Sequence, residues 1–250
     1  MSEFPPESIE AARRARSIVV MTGAGVSAES GIPTFRDALE GLWSRFDPQD
    51  LATPDAFRRD PALVTRWYDE RRINCAKCRP NAAHKALARW ERHAAGLGAR
   101  FTLITQNVDR LHQRAGSRRV IELHGSLFEW RCAQSGEVIE CPPDAFGDYP
   151  PTTPSGGVAR PGVVWFGEML PDDAVAAADD AAGSCDLFVS VGTSAVVYPA
   201  AGYLHLADAA GARTLEINRE PTPASGVVNW SIQGNAGDIL PAFVAAAIES

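Results

Sequence analysis

The chain has 250 residues, 45% hydrophobic and 22% charged, which is the composition of a globular protein large enough to sustain its own core. A net charge of -7 gives no bulk attraction to nucleic acid or to an anionic membrane, and no apolar run reaches the roughly 20 residues that span a bilayer. The N-terminus, "MSEFPPESIEAARRARS", is polar and acid-bearing, unlike a secretory signal. The five cysteines (Cys75, Cys78, Cys132, Cys141, Cys185) are too scattered for a disulfide framework, so a reducing cytoplasm is the expected location.

In chain order, residues 7–16 read as a short helix, and "SIVVMTGAG" follows as an apolar strand running into glycine. Helices and apolar strands then alternate. "AAHKALARWERHAAG" (helix) precedes "FTLITQN" (strand), and "VDRLHQRAG" (helix) precedes "RVIELHG" (strand). After "VVWFGE" come "DDAVAAADDAAGSC" (helix), "DLFVSVGTS" (strand), "YPAAGYLHLADAAGA" (helix), "RTLEIN" (strand) and a closing helix, "ILPAFVAAAIES". This rhythm predicts a parallel sheet with helices on both faces, an α/β fold of Rossmann-like type. Two stretches break it. Residues 38–80 hold no clear strand and look helical, and residues 131–161 are rich in Pro, Gly, Ser and Thr. Both read as insertions that build a second, smaller lobe. The expected division is 1–37, 81–126 and 162–250 for the sheet domain, and 38–80 and 127–161 for the small lobe.

The strongest local signal is "SIVVMTGAGVSAESGIPTFRD". A strand meets Gly23-Ala24-Gly25 just before a helix start, where glycines permit a tight turn and let backbone N–H groups approach a pyrophosphate. A lone G-x-G is also what any tight turn needs. The third glycine position of the usual dinucleotide fingerprint is Ala28 here, and the Gly-Lys-Ser/Thr ending of an ATP loop is absent. The whole string is more specific. "GAGVSAESGIPTFR", then "TQNVD" (105–109), "HG" (124–125), "VVWFGE" (163–168) and "GTS" (192–194), in that order, resemble the sirtuins, NAD-dependent protein lysine deacylases. "PNAAHKAL", "LHQRAG" and the Ile217-Asn218 pair are weaker matches.

His124 ends an apolar strand, where open α/β sheets carry their sites, and imidazole titrates near neutral pH. Alone it reads first as a hydrogen-bonded structural histidine. The resemblance makes it the catalytic base, with Asn107 as its catalytic partner on the ribose. In that chemistry the acyl-lysine oxygen attacks the nicotinamide ribose, nicotinamide leaves, and the base prompts the 2′-oxygen to take the acyl group. The products are lysine, nicotinamide and O-acyl-ADP-ribose. The resemblance also implies cofactor contacts from Gly23, Ala24, Gly25, Ser27, Phe35, Arg36, Gln106, Asn107 and Asp109. Further along, it adds Gly192, Thr193, Ser194, Asn218, Glu220 and Ala236. Phe35 and Arg36 fall in the part of the loop that shields the reacting sugar from water. Asn107, taken alone, also fits a helix cap. "VVWFGE" reads by composition as a buried strand end. In the family it pairs with the substrate backbone as an added strand, which assigns substrate contacts to Val164, Trp165, Phe166, Gly167 and Glu168.

Tyr68 and Arg71, in "YDER", stand three apart, one turn on the same face of a helix. They read as a solvated pair until the resemblance is weighed. One sirtuin class carries Tyr-x-x-Arg here, with "LATP" shortly before it, as in "DLATPDAF" (50–57). There the pair reads the distal carboxylate of malonyl-, succinyl- or glutaryl-lysine, and Ala52 leaves room for it. A guanidinium fork and a phenol donor suit a carboxylate. If the pair is instead surface charge, Arg72 beside it is the member expected in solvent. The chain departs from most sirtuins at their two C-x-x-C zinc pairs. Here the first reads Cys132-Ala133-Gln134-Ser135, and the second has Thr152 and Ser155 in its place. Hydroxyls are poor zinc ligands beside thiolates, so no structural zinc is expected. A rewired site of Cys75, Cys78, Cys132 and Cys141 is the alternative. Proline, which restricts the unfolded chain, is expected to help hold the 142–161 stretch instead.

The expected function is NAD-dependent removal of acyl groups from protein lysine, succinyl and malonyl before acetyl. Acyl-lysine proteins would be the partners, with neither nucleic acid nor membrane. The alternatives are a protein mono-ADP-ribosyltransferase and a non-catalytic NAD-binding sensor.

Overall fold

A computed structural model describes residues 4–33 and 51–249. Six strands form one sheet in the order β3-β2-β1-β7-β8-β9. They are β1 (Ser17–Thr22), β2 (Arg100–Thr105), β3 (Val120–Glu122), β7 (Leu187–Val191), β8 (Arg213–Asn218) and β9 (Trp230–Gln233). Every pairing is parallel. The strand order reverses direction between β1 and β7, and in open α/β sheets that is where a crevice opens beyond the strand ends.

Alternate residues of β1 serve opposite faces, because side chains of a strand alternate. Ile18 and Val20 pack with helices α1 (Pro6–Arg14), α4 (Ala82–Gly96) and α8 (Ala236–Ile248), whose Trp90 and Phe243 are fully covered. Val19 and Met21 pack on the other face with α6 (Asp172–Gly183) and α7 (Gly202–Ala209) through Ala178, Ala182, Leu204 and Ala207. Covering both faces explains why these strands are apolar runs rather than alternating ones. β9, of mixed burial, is the strand that composition did not announce.

The second region joins α2 (Pro54–Arg59) and α3 (Pro61–Lys77) to a three-stranded antiparallel sheet, β5-β4-β6. Its strands are β4 (Gly125–Cys132), β5 (Val138–Ile139) and β6 (Ala159–Val163). Each helix starts with proline behind a capping side chain: Thr53 accepts from Ala56 N–H at 3.1 Å, and Asp60 from Leu63 N–H at 2.9 Å. The strand around "VVWFGE" lies earlier than composition suggests. β6 ends at Val163, and residues 164–168 turn away through Gly167 at φ +86°.

α3 buries a charged pair. Asp69 is fully buried and Arg72 is 3% exposed, so Arg72 is not a solvated residue. The two stand one helical turn apart, with Arg72 Nε donating to Asp69 at 2.8 Å. Arg72 also donates to the carbonyls of Pro142 (2.7 Å) and Asp144 (2.6 Å), while Asp69 accepts from Phe146 N–H (2.9 Å) and Tyr149 O–H (2.6 Å). A helix turn thus fastens the proline-rich strap between β5 and β6, with every charge hydrogen-bonded, as burial demands.

Candidate active site

Three glycines bring the β1 and β7 loops together at the switch point. Gly23 N–H donates to Val191 O (3.0 Å) and Gly25 N–H to Gly192 O (2.8 Å). A Cβ on Gly23 or on Gly25 would lie 2.8 Å from Gly192 O, and Gly192 itself has φ +59°. Backbone meets backbone there with no room for side chains, which fixes the two loops against each other at the mouth of the crevice. Ala24 opens the short 3-10 helix Ala24–Ser30, whose first N–H groups face the same loops. Gln106 ties the two sides further, donating to Thr193 Oγ1 at 2.9 Å.

Asn107 turns into this loop rather than capping a helix: its amide donates to Gly23 O and to Ser27 Oγ, each at 3.1 Å. Asp109 accepts from Leu111 N–H at 2.8 Å, bracing the left-handed turn at Arg110 that opens α5 (Leu111–Ala115). Its other oxygen accepts the Ser27 hydroxyl at 2.7 Å. Burial pushes the Asp109 carboxyl up, against these hydrogen bonds.

His124 follows β3 and Leu123. Its Nδ1 contacts Gln106 O at 3.0 Å, which fixes Nδ1–H as the donor and leaves Nε2 as the basic nitrogen. Burial lowers its pKa, only partly countered by the Gln106 bond, so the imidazole is neutral at pH 7. Val164 N–H donates to His124 O at 3.0 Å, so the Val164–Glu168 segment runs directly past His124.

Two further histidines stand behind these groups. His84 Nε2 lies 3.3 Å from Ser27 Oγ, and His112 Nε2 lies 2.9 Å from Thr22 Oγ1. Burial pushes His84 down to about 4 and His112 well below its ordinary value, so both act as neutral hydrogen-bonding groups. The signal for them lay in "PNAAHKAL" and "LHQRAG". At the far end of the sheet Asn218 donates to Glu220 O at 2.9 Å, and Gly234 N–H donates to Asn218 O at 3.0 Å just ahead of Ala236. Ser194 follows Thr193 in the same loop, half-buried.

The substrate-side residues also meet. Phe166 N–H donates to Ala52 O at 2.9 Å, and Ala52, Tyr68 and Trp165 share one apolar cluster. The Tyr68 and Trp165 ring centroids are 6.2 Å apart. Arg71 lies over the Trp67 ring, 4.7 Å from its centroid. Burial raises the Tyr68 phenol above its ordinary range despite the neighbouring Arg71 charge, so it remains a donor. Glu168 is engaged within the loop: it accepts from Trp165 N–H at 2.9 Å and pairs with Arg160 at 2.6 Å, a partner the sequence reading did not include. Phe35 and Arg36 lie outside the described residues.

At the place of the zinc pairs, Cys132 Sγ accepts from Ser135 N–H at 3.4 Å and donates to Gln134 Oε1 at 3.3 Å. Thr153, not the exposed Thr152, turns inward to Ser155 Oγ at 2.9 Å, and Ser155 donates to Glu137. One thiol among hydroxyls and an amide does not suit zinc. Among the described residues, no group of three His, Cys, Asp or Glu could hold a metal ion, and this includes the Cys75, Cys78, Cys132 and Cys141 set.

Residues 23–199 match the profile of the Sir2 family. The "NAD-dependent protein deacylase" of Mycobacterium tuberculosis is 48% identical over 232 residues, 91% of this chain and 96% of the relative. The "NAD-dependent protein deacylase 1" of Pseudomonas aeruginosa is 49% identical over 244 residues, 93% of this chain and 95% of the relative. A crystal structure of a Sir2 homolog–NAD complex superposes with a TM-score of 0.92 at 42% identity, over 98% of this chain and 94% of that one. The glycine-packed loops, the Asn107–Ser27–Asp109 cluster and His124 therefore belong to a member of the Sir2, or sirtuin, family.

Proposed function

We propose that this protein is an NAD-dependent protein-lysine deacylase that prefers acyl groups ending in a carboxylate, succinyl and malonyl before acetyl. The observation that carries the first half is the convergence of the Gly23, Gly25 and Gly192 backbone, Asn107 and His124 at one sheet edge, beside the Val164–Glu168 segment. Backbone N–H groups of the two loops suit a pyrophosphate, and Asn218, Glu220 and the Ala236 backbone suit the adenosine end. When bound, NAD supplies an activated ribose carbon that exchanges nicotinamide for the acyl oxygen. Asn107, held by Gly23 and Ser27, orients the ribose, and Asp109 faces the nicotinamide amide. His124 takes a proton at Nε2 from the ribose hydroxyl system, while Gln106 O holds the opposite nitrogen protonated. Its lowered pKa keeps that nitrogen free at neutral pH, as a general base requires.

Protein substrates suit the surface on this side. Phe166 (46% exposed) and Met169 (88%) border the segment, and Val196 (50%) and Tyr198 (71%) follow the β7 loop, apolar groups in solvent that a bound peptide would cover. The acidic-acyl preference rests on Ala52, Tyr68 and Arg71, with the phenol protonated and a guanidinium near it. The small lobe works without zinc, its knuckle closed by hydrogen bonds around Cys132.

The test is the product balance on a succinyl-lysine peptide with biotin-labelled NAD. One nicotinamide released per lysine freed, with the acyl group on ADP-ribose, is expected. Label left on protein would make the enzyme a transferase, and NAD bound without turnover would make it a sensor.

A further inference from the structure

Beside Tyr68 lies a buried polar group that no described residue satisfies with a formed hydrogen bond. Trp165 is 2% exposed, and its indole nitrogen is fully buried without a hydrogen-bond partner. A buried N–H left unpaired is costly, so native proteins rarely retain one without a reason. The side chain is not free to find a partner elsewhere. The Arg160 guanidinium lies over its ring at 3.4 Å, and the Phe57 ring centroid is 5.2 Å from its own. Its backbone is fixed by Glu168 at 2.9 Å, and the next residue is fixed by Ala52 O at 2.9 Å. The indole N–H faces the Tyr68 phenol closely enough to ease its ionisation, without reaching the distance and angle of a formed hydrogen bond. Arg71, one helical turn from Tyr68, acts on the same phenol more strongly than Arg160 does.

We propose that the Trp165 indole N–H is a third donor of the acyl reader, reserved for the distal carboxylate of an acidic acyl-lysine that also engages Tyr68 and Arg71. This rests on the acidic-acyl reading above and adds a specificity-determining residue to it. A carboxylate accepts at two oxygens with about four lone-pair directions, so three donors converging from an indole, a phenol and a guanidinium are within its capacity. An acetyl group ends in a methyl and would leave the indole N–H unpaired. The same group thus favours the acidic substrate and penalises the neutral one. The guanidinium over the ring face draws electron density from the indole and strengthens the N–H as a donor.

The experiment measures kcat/KM for succinyl- and acetyl-lysine forms of one peptide, in wild type and in Trp165→Phe. Lost ring packing affects both substrates and divides out of the ratio. A neutral donor to a charged acceptor predicts a fall of about tenfold to hundredfold in the succinyl-to-acetyl ratio. A wild type that favours succinyl, with the ratio intact in Trp165→Phe, overturns the third donor and leaves the acidic-acyl reading standing. A wild type that favours acetyl overturns both. If Trp165→Phe does not fold, β-(3-benzothienyl)alanine at position 165, which keeps the ring shape and replaces N–H by sulfur, gives the same ratio test with the same two outcomes.

Discussion

The two sheets are held by different physics. The six-stranded sheet is covered on both faces, and its strands contribute Val20, Leu103, Val189 and Leu215 with no exposed surface. Apolar burial is non-directional, so it makes a rigid platform whose strand ends hold the Gly23, Gly25 and Gly192 loops. The three-stranded sheet has a smaller apolar cluster around Trp67, Trp130 and Trp165, and its strap is fixed by one buried carboxylate and one buried guanidinium. Directional bonds specify a single arrangement with little mass. The difference suits the division of labour in the proposed function, with the large sheet as a fixed phosphate cradle and the small lobe as the shaper of the acyl pocket.

Breaking the small lobe should give the largest effect. Arg72→Met removes the partner of a fully buried Asp69 and frees the Pro142 and Asp144 carbonyls, so unfolding free energy should fall by about 3–5 kcal/mol. Urea unfolding measures it, and a fall under about 1 kcal/mol would mean that packing alone holds the strap. A chelator in the same experiment should leave the midpoint where it was, because one thiol among the hydroxyls and amide around Cys132 does not suit a metal.

A gentler change sharpens the comparison from the other side. Gly25→Ala puts a Cβ 2.9 Å from the Gly192 Cα, against backbone that cannot rotate away. The cost should be about 1–3 kcal/mol of stability. ADP-ribose affinity, read by calorimetry, should weaken by at least about tenfold, since the two loops must part. Retained affinity would show that loop contact is not what forms the cradle.

The large sheet was legible in the sequence because its strands are apolar runs and its loop is a long specific string. β1, β3, β7 and β8 lie inside the runs that composition marks, β2 begins one residue before its run, at Arg100, and Asn107, Asp109, Gln106 and Thr193 gather where the motif order places them. The small lobe was less legible for a physical reason. β4 and β6 pair across a register shift between Ser126 and Trp130, and β6 carries Pro161 and Gly162, so neither shows strand periodicity. Arg72 reads as surface charge because the carbonyls that cover it lie 70 and 72 residues away. Thr153 rather than Thr152 turns inward, a distinction that spacing alone does not carry. His84 and His112 appear in short motifs, but only the fold shows that they back Ser27 and Thr22.

The most direct test of the account is kcat/KM across acetyl-, malonyl- and succinyl-lysine forms of one peptide, in wild type and in Arg71→Ala. The account predicts that wild type favours the acidic groups, and that Arg71→Ala lowers the succinyl-to-acetyl ratio by about tenfold to hundredfold through loss of a charged partner. Nicotinamide release that favours acetyl, with a ratio indifferent to Arg71, would contradict it: the small lobe would then shape the tunnel without reading the acyl group.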